Sequence, residues 1–296
     1  MSYQEINNNV VIDGYSITKG QITTPAGLLN PLNRIAGYGD TKQGIIVPLY
    51  EYPTYFSGSG DYQTVQSGAP FASCLILNGN SGPPSPMNND WTNQLLQLRA
   101  SGVMGIGYVP TNFGGTPIAT VKAMIDVWYQ DFITPQGAHN NLVAPIDGIF
   151  FDEGDFQAST QPYYLELYNY VKKKDNGSGA NFVVLNPGSI PDESYMQAAD
   201  VVCVVENTYA YYTATFPGTI PVWFPYYPAN KFMHVVENVT DTTKLATVQA
   251  ISKTTRGGYL YCIDSAGDYT KLAGDATATP AIWTNQVTWC QKMGLS

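Results

Sequence analysis

The chain has 296 residues, a formal net charge of −9, and 12% charged against 44% hydrophobic residues. That length accommodates one barrel domain or two smaller domains, and the apolar content excludes a disordered chain. The negative balance argues against nucleic acid as a partner, because nucleic acid recruits basic patches, and is compatible with a neutral or cationic ligand.

With 22 Tyr, 28 Gly and 20 Pro and few charges, much of the surface falls to Asn, Thr, Ser, Gln and Tyr. Such a surface suits extracellular work and contact with carbohydrate. No stretch approaches the roughly 18–20 apolar residues that span a bilayer. The start, Met1-Ser2-Tyr3-Gln4-Glu5, lacks the basic-then-apolar pattern of a secretory signal, so no signal peptide is expected in this chain. Cys74, Cys203, Cys262 and Cys290 form no CxxC pair. Buried free thiols are the expectation, with one disulfide left open. The two histidines, His139 and His234, form no metal-binding pattern, so neither a metal nor a cofactor is expected.

Residues 1–43 are polar and weakly periodic, with one short strand at Val10-Val11-Ile12. They read as an N-terminal arm, an attachment segment to a larger assembly. An alternating rhythm follows. Residues 44–52 (GIIVPLYEY) predict a first strand and 73–78 a second. Residues 91–100 predict a helix with Leu95, Leu96 and Leu98 clustered, and 103–109 a third strand. An amphipathic helix over 118–132 carries Val121, Ile125 and Trp128 on one face. The fourth strand, 146–151 (IDGIFF), runs straight into Asp152-Glu153-Gly154. A helix over 163–174 ends in Lys172-Lys173-Lys174, a solvated helix end, before Asn176-Gly177-Ser178-Gly179 breaks the chain.

The fifth strand, 182–185, is closed by Asn186-Pro187-Gly188, and a short helix follows over 192–199. The sixth strand, 201–205, ends in Glu206, and 232–236 is a seventh. A helix over 243–254, an eighth strand over 258–263 and a last helix over 282–293 complete the chain. Eight strands alternating with helices over about 250 residues match a (β/α)8 TIM barrel spanning 44–296. An open doubly wound sheet is the other fold open, but no GxGxxG or GxxxxGK[ST] fingerprint accompanies it.

In a barrel the C-terminal strand ends converge on one face. That rim carries Tyr50, Glu51 and Tyr52 from the first strand, and Asn78 and Asn80 from the second. Tyr108 and Asn112 follow the third strand, Asp152 and Glu153 the fourth, and Asn186 the fifth. Glu206 and Asn207 come from the sixth, Glu237 and Asn238 from the seventh, and Asp264 from the eighth. Any one of these can be a turn or capping residue. Together they are carboxylates, amides and tyrosines, groups that bond sugar hydroxyls and pack on pyranose faces. Glycoside hydrolysis needs two carboxyl groups across one bond. The fourth and sixth strands are next-but-one neighbours, and strands lie about 4.8 Å apart, so Asp152 and Glu206 can bracket that bond. Alternation puts Gly148, Phe150 and Asp152 on one side of the strand and Glu153 on the other. Asp152 then projects into the mouth, and Glu153 orients it or contacts substrate from the turn. The segment 209–227 is unusually aromatic. Tyr212 and Trp223 are read as a sugar-stacking wall or else as a packed loop cluster.

The motifs VPLYEYP (47–53), GIFFDE (148–153), Asn186-Pro187-Gly188 and Val204-Val205-Glu206 resemble the spherulin-four family. That family includes the glycoside hydrolase family 135 enzymes of fungi. The resemblance runs from about Gly44 to the C-terminus and leaves the arm and the aromatic segment outside the pattern. It implies a (β/α)8 barrel that cleaves galactosamine-containing polysaccharide internally, with an acidic triad on Asp152, Glu153 and Glu206. An acidic cleft suits a partly de-N-acetylated, cationic polymer.

Three functions follow from these residues. One is an endo-acting glycoside hydrolase with Asp152, Glu206 and Glu153 catalytic. Its substrate would contact Tyr50, Tyr52, Asn78, Tyr108, Asn186, Asn207, Tyr212, Trp223 and Glu237. The others are a non-catalytic carbohydrate-binding or adhesion module, and a structural component of a coat or tail. The expected setting is extracellular, surface or virion-associated, with a polysaccharide as partner and no membrane span.

Overall fold

The computed structural model describes residues 43–53, 60–85, 88–133, 146–174, 181–272 and 280–294, together with the backbone of four strands within residues 3–23. The strands β1 (Tyr3–Ile6), β2 (Asn9–Ile12), β3 (Tyr15–Thr18) and β4 (Gln21–Thr23) form an antiparallel meander. The sequence shows one short strand in the arm. The structure pairs it on both sides, Val11 lying opposite Gln4 and Ser16.

Eight parallel strands follow in chain order: β5 (Ile45–Leu49), β6 (Ala72–Leu77), β7 (Met104–Pro110), β8 (Gly148–Asp152), β9 (Phe182–Leu185), β10 (Val201–Thr208), β11 (Phe232–Glu237) and β12 (Tyr259–Cys262). Each pairs with the next, and Gly44 bridges to Tyr259, bringing the last strand back to the first. Gly44 N donates to Gly258 O at 2.9 Å, and Leu260 N donates to Gly44 O at 3.1 Å. This is the (β/α)8 barrel the alternating pattern predicts.

Helices α1 (Asp61–Ser67), α2 (Asn89–Ser101), α3 (Ile118–Ile133), α4 (Gln161–Lys172), α5 (Tyr209–Ala214), α6 (Thr242–Thr254) and α7 (Pro280–Gly294) intervene between strands or follow the last one. Between β9 and β10 the connection is a 3-10 turn, Glu193–Gln197, instead of the expected short α-helix. The sequence reading places no helix between the first two strands. α1 is only seven residues, DYQTVQS, and buries just Tyr62 and Val65, too few positions to show a period.

The strands are buried on both faces, as parallel sheets require, and every residue of β5 is buried. Glycines let the helices close on them. A Cβ on Gly107 would come 2.5 Å from the Trp128 ring of α3, and one on Gly105 would come 2.3 Å from Leu95 of α2. At the start of β8, Asp147 accepts Gly105 N at 2.9 Å and pairs with Arg99 at 2.5 Å, so a charge at the N-terminal end of the barrel is neutralised. Lys172 is not simply a solvated helix end. It donates to Asn181 O at 2.8 Å and to Asp200 at 2.5 Å, bracing α4 against the strands. All four cysteines are buried and free, as expected. Among the described residues, no helix is long and apolar enough to cross a membrane.

Candidate active site

Asp152 is the last residue of β8, Asn186 follows β9, and Glu206 lies near the end of β10. The parallel register brings the three to one rim. Asn186 Nδ2 donates to Asp152 Oδ1 at 2.8 Å and to Glu206 Oε2 at 2.6 Å. The amide orientation is fixed from behind, because Asn186 Oδ1 accepts Gly188 N at 2.9 Å. Gly188 adopts φ +61°, and its carbonyl accepts Glu206 N at 3.1 Å. The Asn186-Pro187-Gly188 turn therefore serves as a clamp that holds both acids to one nitrogen. Gly154 is needed for the same closeness. Its N–H donates to Asn186 O at 2.8 Å, and a Cβ there would come 3.0 Å from the Asn186 carbonyl.

Tyrosines complete the ring of partners. Tyr108 donates to Asp152 Oδ2 at 2.6 Å. Tyr269, in the loop after β12, donates to Glu206 Oε1 at 2.6 Å and lies 3.4 Å from Glu237 Oε1. Tyr50 packs edge-on against both rings, with centroids 5.3 Å from Tyr108 and 5.6 Å from Tyr269. Burial and the charges of Asp152 and Glu206 push the Tyr50 hydroxyl well above its ordinary range. Burial, with the adjacent carboxylate, does the same for Tyr108 and Tyr269. These phenols stay protonated donors.

Glu206 is the acid with the raised pKa. Burial raises it, the bonds from Tyr269 and Asn186 oppose the rise, and the charges of Asp152 and Glu237 add to it. Glu237 is raised as well, by burial, with Tyr269 opposing. Asp152 receives two donors, Asn186 Nδ2 and the Tyr108 hydroxyl. Burial thus biases Glu206 toward holding a proton, the state a general acid needs.

The other expected site residues are distributed more widely. Glu153 has left-handed backbone, φ +52°. Its carboxylate accepts Asn112 N at 3.1 Å, a bond to the β7 loop. Asn78 accepts Gly82 N at 3.1 Å and shapes the turn after β6. Tyr52 is half exposed, donating to Asp90 at 2.5 Å and accepting from Asn88 at 2.8 Å, so its hydroxyl is engaged by the start of α2. Asn207 accepts Thr208 N at 2.9 Å and lines a groove of about 420 Å³. Ile190, Tyr211, Phe216 and Trp223 share that lining, and Gly188 joins it to the acid clamp.

The aromatic segment divides in two. Tyr212 is fully buried, meets His234 Nδ1 at 2.8 Å and stacks on Phe216, so it presents no face to a sugar and leaves the expected wall. Phe224 stacks on Phe232 at 4.0 Å in the same inner cluster. Trp223 and Tyr211 remain at the groove. Tyr269 escapes the sequence reading. It stands in a Gly-Asp-Tyr-Thr loop with no periodicity, 63 residues from Glu206.

The chain is a (β/α)8 barrel that clamps two carboxylates at its C-terminal rim. The sequence model of the spherulation-specific family 4 matches residues 44–287. The chain belongs to that family. It is 31% identical over 166 residues to spherulin-4 of Physarum polycephalum, an alignment covering 55% of this chain and 44% of that protein. The chain thus spans less than half the length of this curated relative. Among solved structures, the Aspergillus clavatus Sph3 complex with GalNAc superposes with a TM-score of 0.68 at 26% identity. It covers 84% of this chain and 97% of that one. An engineered protein superposes at TM-score 0.51 and 13% identity, covering 88% and 71%, which speaks for the fold alone.

Proposed function

We propose that the protein is an endo-acting glycoside hydrolase of galactosamine- and N-acetylgalactosamine-containing polysaccharide. The observation that carries this reading is the single Asn186 nitrogen shared by Asp152 and Glu206. The two oxygens it holds are no further apart than the 2.8 and 2.6 Å bonds laid end to end. That limit suits the retaining separation of about 5–5.5 Å and is short of the inverting range of about 6.5–9.5 Å. Likeness to Sph3, whose structure holds GalNAc, supports an amino sugar as ligand.

In this mechanism Glu206 enters protonated and gives its proton to the glycosidic oxygen as the leaving chain departs. Asp152 attacks the anomeric carbon on the opposite face and forms a glycosyl ester. Glu206, now a carboxylate, takes a proton from water, and the resulting hydroxide displaces Asp152. Tyr108 and Asn186 hold the Asp152 carboxylate for attack, and Tyr269 and Asn186 steady Glu206 between its two charge states. The acidity of the rim, Glu237 included, favours cationic, partly de-N-acetylated chains over neutral ones. Trp223, Asn207 and Tyr211 flank the acids as contacts for adjoining sugars. Residues 1–43 act as an attachment segment and 44–296 as the hydrolytic domain, in an extracellular or surface setting.

Product analysis on a panel of galactosamine, glucosamine and neutral glycans tests the reading. Internal fragments should come from the galactosamine polymers. Binding of those polymers without any cleavage would instead make the chain a carbohydrate-binding module.

A further inference from the structure

The loop after β7 carries two consecutive non-glycine residues in the left-handed region, Asn112 at φ +48° and Phe113 at φ +54°. Asparagine tolerates that conformation; phenylalanine does so rarely, and side chains held there usually have something holding them. The Phe113 ring is 61% exposed, so packing of the ring is not what pins it. What pins it is Glu153. The Glu153 carbonyl accepts Phe113 N at 2.7 Å and its carboxylate accepts Asn112 N at 3.1 Å. Thr111, fully buried, closes the latch with its hydroxyl 2.8 Å from both the Asp152 and the Glu153 carbonyls. Glu153 itself pays for this with left-handed backbone at φ +52°. Three residues in left-handed backbone therefore converge on a single outcome, a phenylalanine standing in solvent at the rim, hydrogen-bonded through its backbone to the residue after Asp152.

From this geometry we infer that Glu153 is a positioning residue, and that the ring it positions, Phe113, is a stacking platform for the apolar face of a pyranose in the bound polymer. The platform adds a subsite on the β7–β8 side of the acid clamp, away from the Trp223 groove on the β9–β10 side. Glu153 exchanges no proton with substrate in this scheme. It acts through the loop. The inference rests on the proposed polysaccharide substrate.

The experiment compares wild type, Phe113→Ala, Glu153→Gln, Glu153→Ala and the Glu153→Ala/Phe113→Ala double variant. The readouts are kcat and KM on long galactosamine polymer and on short oligomers, pH profile, and thermal melting. Phe113→Ala should raise KM for long chains about three- to tenfold, the size of one aromatic stacking contact, with kcat within about twofold. Glu153→Gln keeps an amide oxygen to accept Asn112 N, so the ratio of its KM on long polymer to that on short oligomers should match wild type. Glu153→Ala keeps the carbonyl that accepts Phe113 N but loses the carboxylate that accepts Asn112 N, so its KM for long chains should rise, by no more than that of Phe113→Ala, and the double variant should be no worse than Phe113→Ala alone. Loss of kcat in Glu153→Gln as deep as in Asp152→Asn overturns the positioning role. An unchanged KM for Phe113→Ala, with wild type cleaving normally, overturns the platform and leaves the hydrolase reading standing. Should wild type cleave no polymer, retardation of the same variants in polysaccharide-loaded gels decides. Weaker retention of Phe113→Ala supports the platform. No retention of wild type overturns platform and substrate together.

Discussion

Replacing Asn186 by Ala removes both halves of the clamp at once. Its nitrogen makes bonds of 2.8 and 2.6 Å to the two acids, and its oxygen receives Gly188 N at 2.9 Å. Hydrogen bonds to charged groups contribute about 1.5–3 kcal/mol each. Taking the low end for both gives about 3 kcal/mol, which at about 1.4 kcal/mol per tenfold corresponds to roughly a hundredfold loss in kcat/KM. The pH dependence gives a second, independent reading. The Asn186 bond lowers the pKa of Glu206 against the burial that raises it. Without that bond burial is less opposed, and the pKa climbs further. In the proposed mechanism Glu206 acts while protonated, so the alkaline limb of the kcat/KM profile should move to higher pH. Initial rates on galactosamine polymer from about pH 4 to 9 measure both. A kcat/KM within threefold of wild type and an unmoved alkaline limb would refute the clamp as the organising element of the site.

Three further outcomes follow. Glu206 has a raised pKa in the folded chain, so the protein prefers it protonated, and that preference is satisfied at low pH and lost as pH rises through its folded pKa. Glu206→Gln should therefore melt above wild type at pH 7, by about 2–4 °C per kcal/mol relieved, with the gap closing below about pH 4; calorimetry across pH checks it, and a constant gap would contradict it. Tyr212→Ala should cost about 3–5 kcal/mol of stability by opening a cavity beside His234 and Phe216, whereas Trp223→Ala should weaken binding of long oligosaccharides more than it lowers the melting temperature. Denaturant melts paired with affinity titrations separate the two, and the reverse pattern would put Trp223 in the core and Tyr212 at the sugar. Deleting residues 1–41 should leave a soluble barrel with unchanged hydrolysis, and a truncated protein that melts well below the full chain would show that the arm belongs to the fold.

The barrel was legible because its strands are unbroken apolar runs, buried on both faces, each ending in a polar residue. That same abrupt ending exposed Asp152 and Glu206. Alternation along β8 separated Asp152 from Glu153. What the pattern did not carry was the work of the loops. Tyr269 reaches Glu206 from a turn after the last strand, and only folding makes that pair. The asparagine after β9 was visible as a rim amide, but its orientation depends on Gly188 at positive φ, a backbone fact. In residues 209–227 aromatics are too dense to show a face, so the buried Tyr212 and the groove-lining Trp223 look alike in sequence. Nor does any residue pattern announce that Glu153 turns into left-handed backbone to hold Asn112 and Phe113.

The most direct test of the paired-acid mechanism is the turnover of Asp152→Asn and Glu206→Gln on galactosamine-containing polymer, with thermal melting recorded on the same preparations. Each variant removes one ionisable group from the Asn186 clamp and leaves its shape nearly intact. Wild type should release internal fragments, and each variant should fall by about 10²–10⁴-fold or more while still melting cooperatively. Near-wild-type turnover in either variant, with the fold retained, would remove that acid from the mechanism.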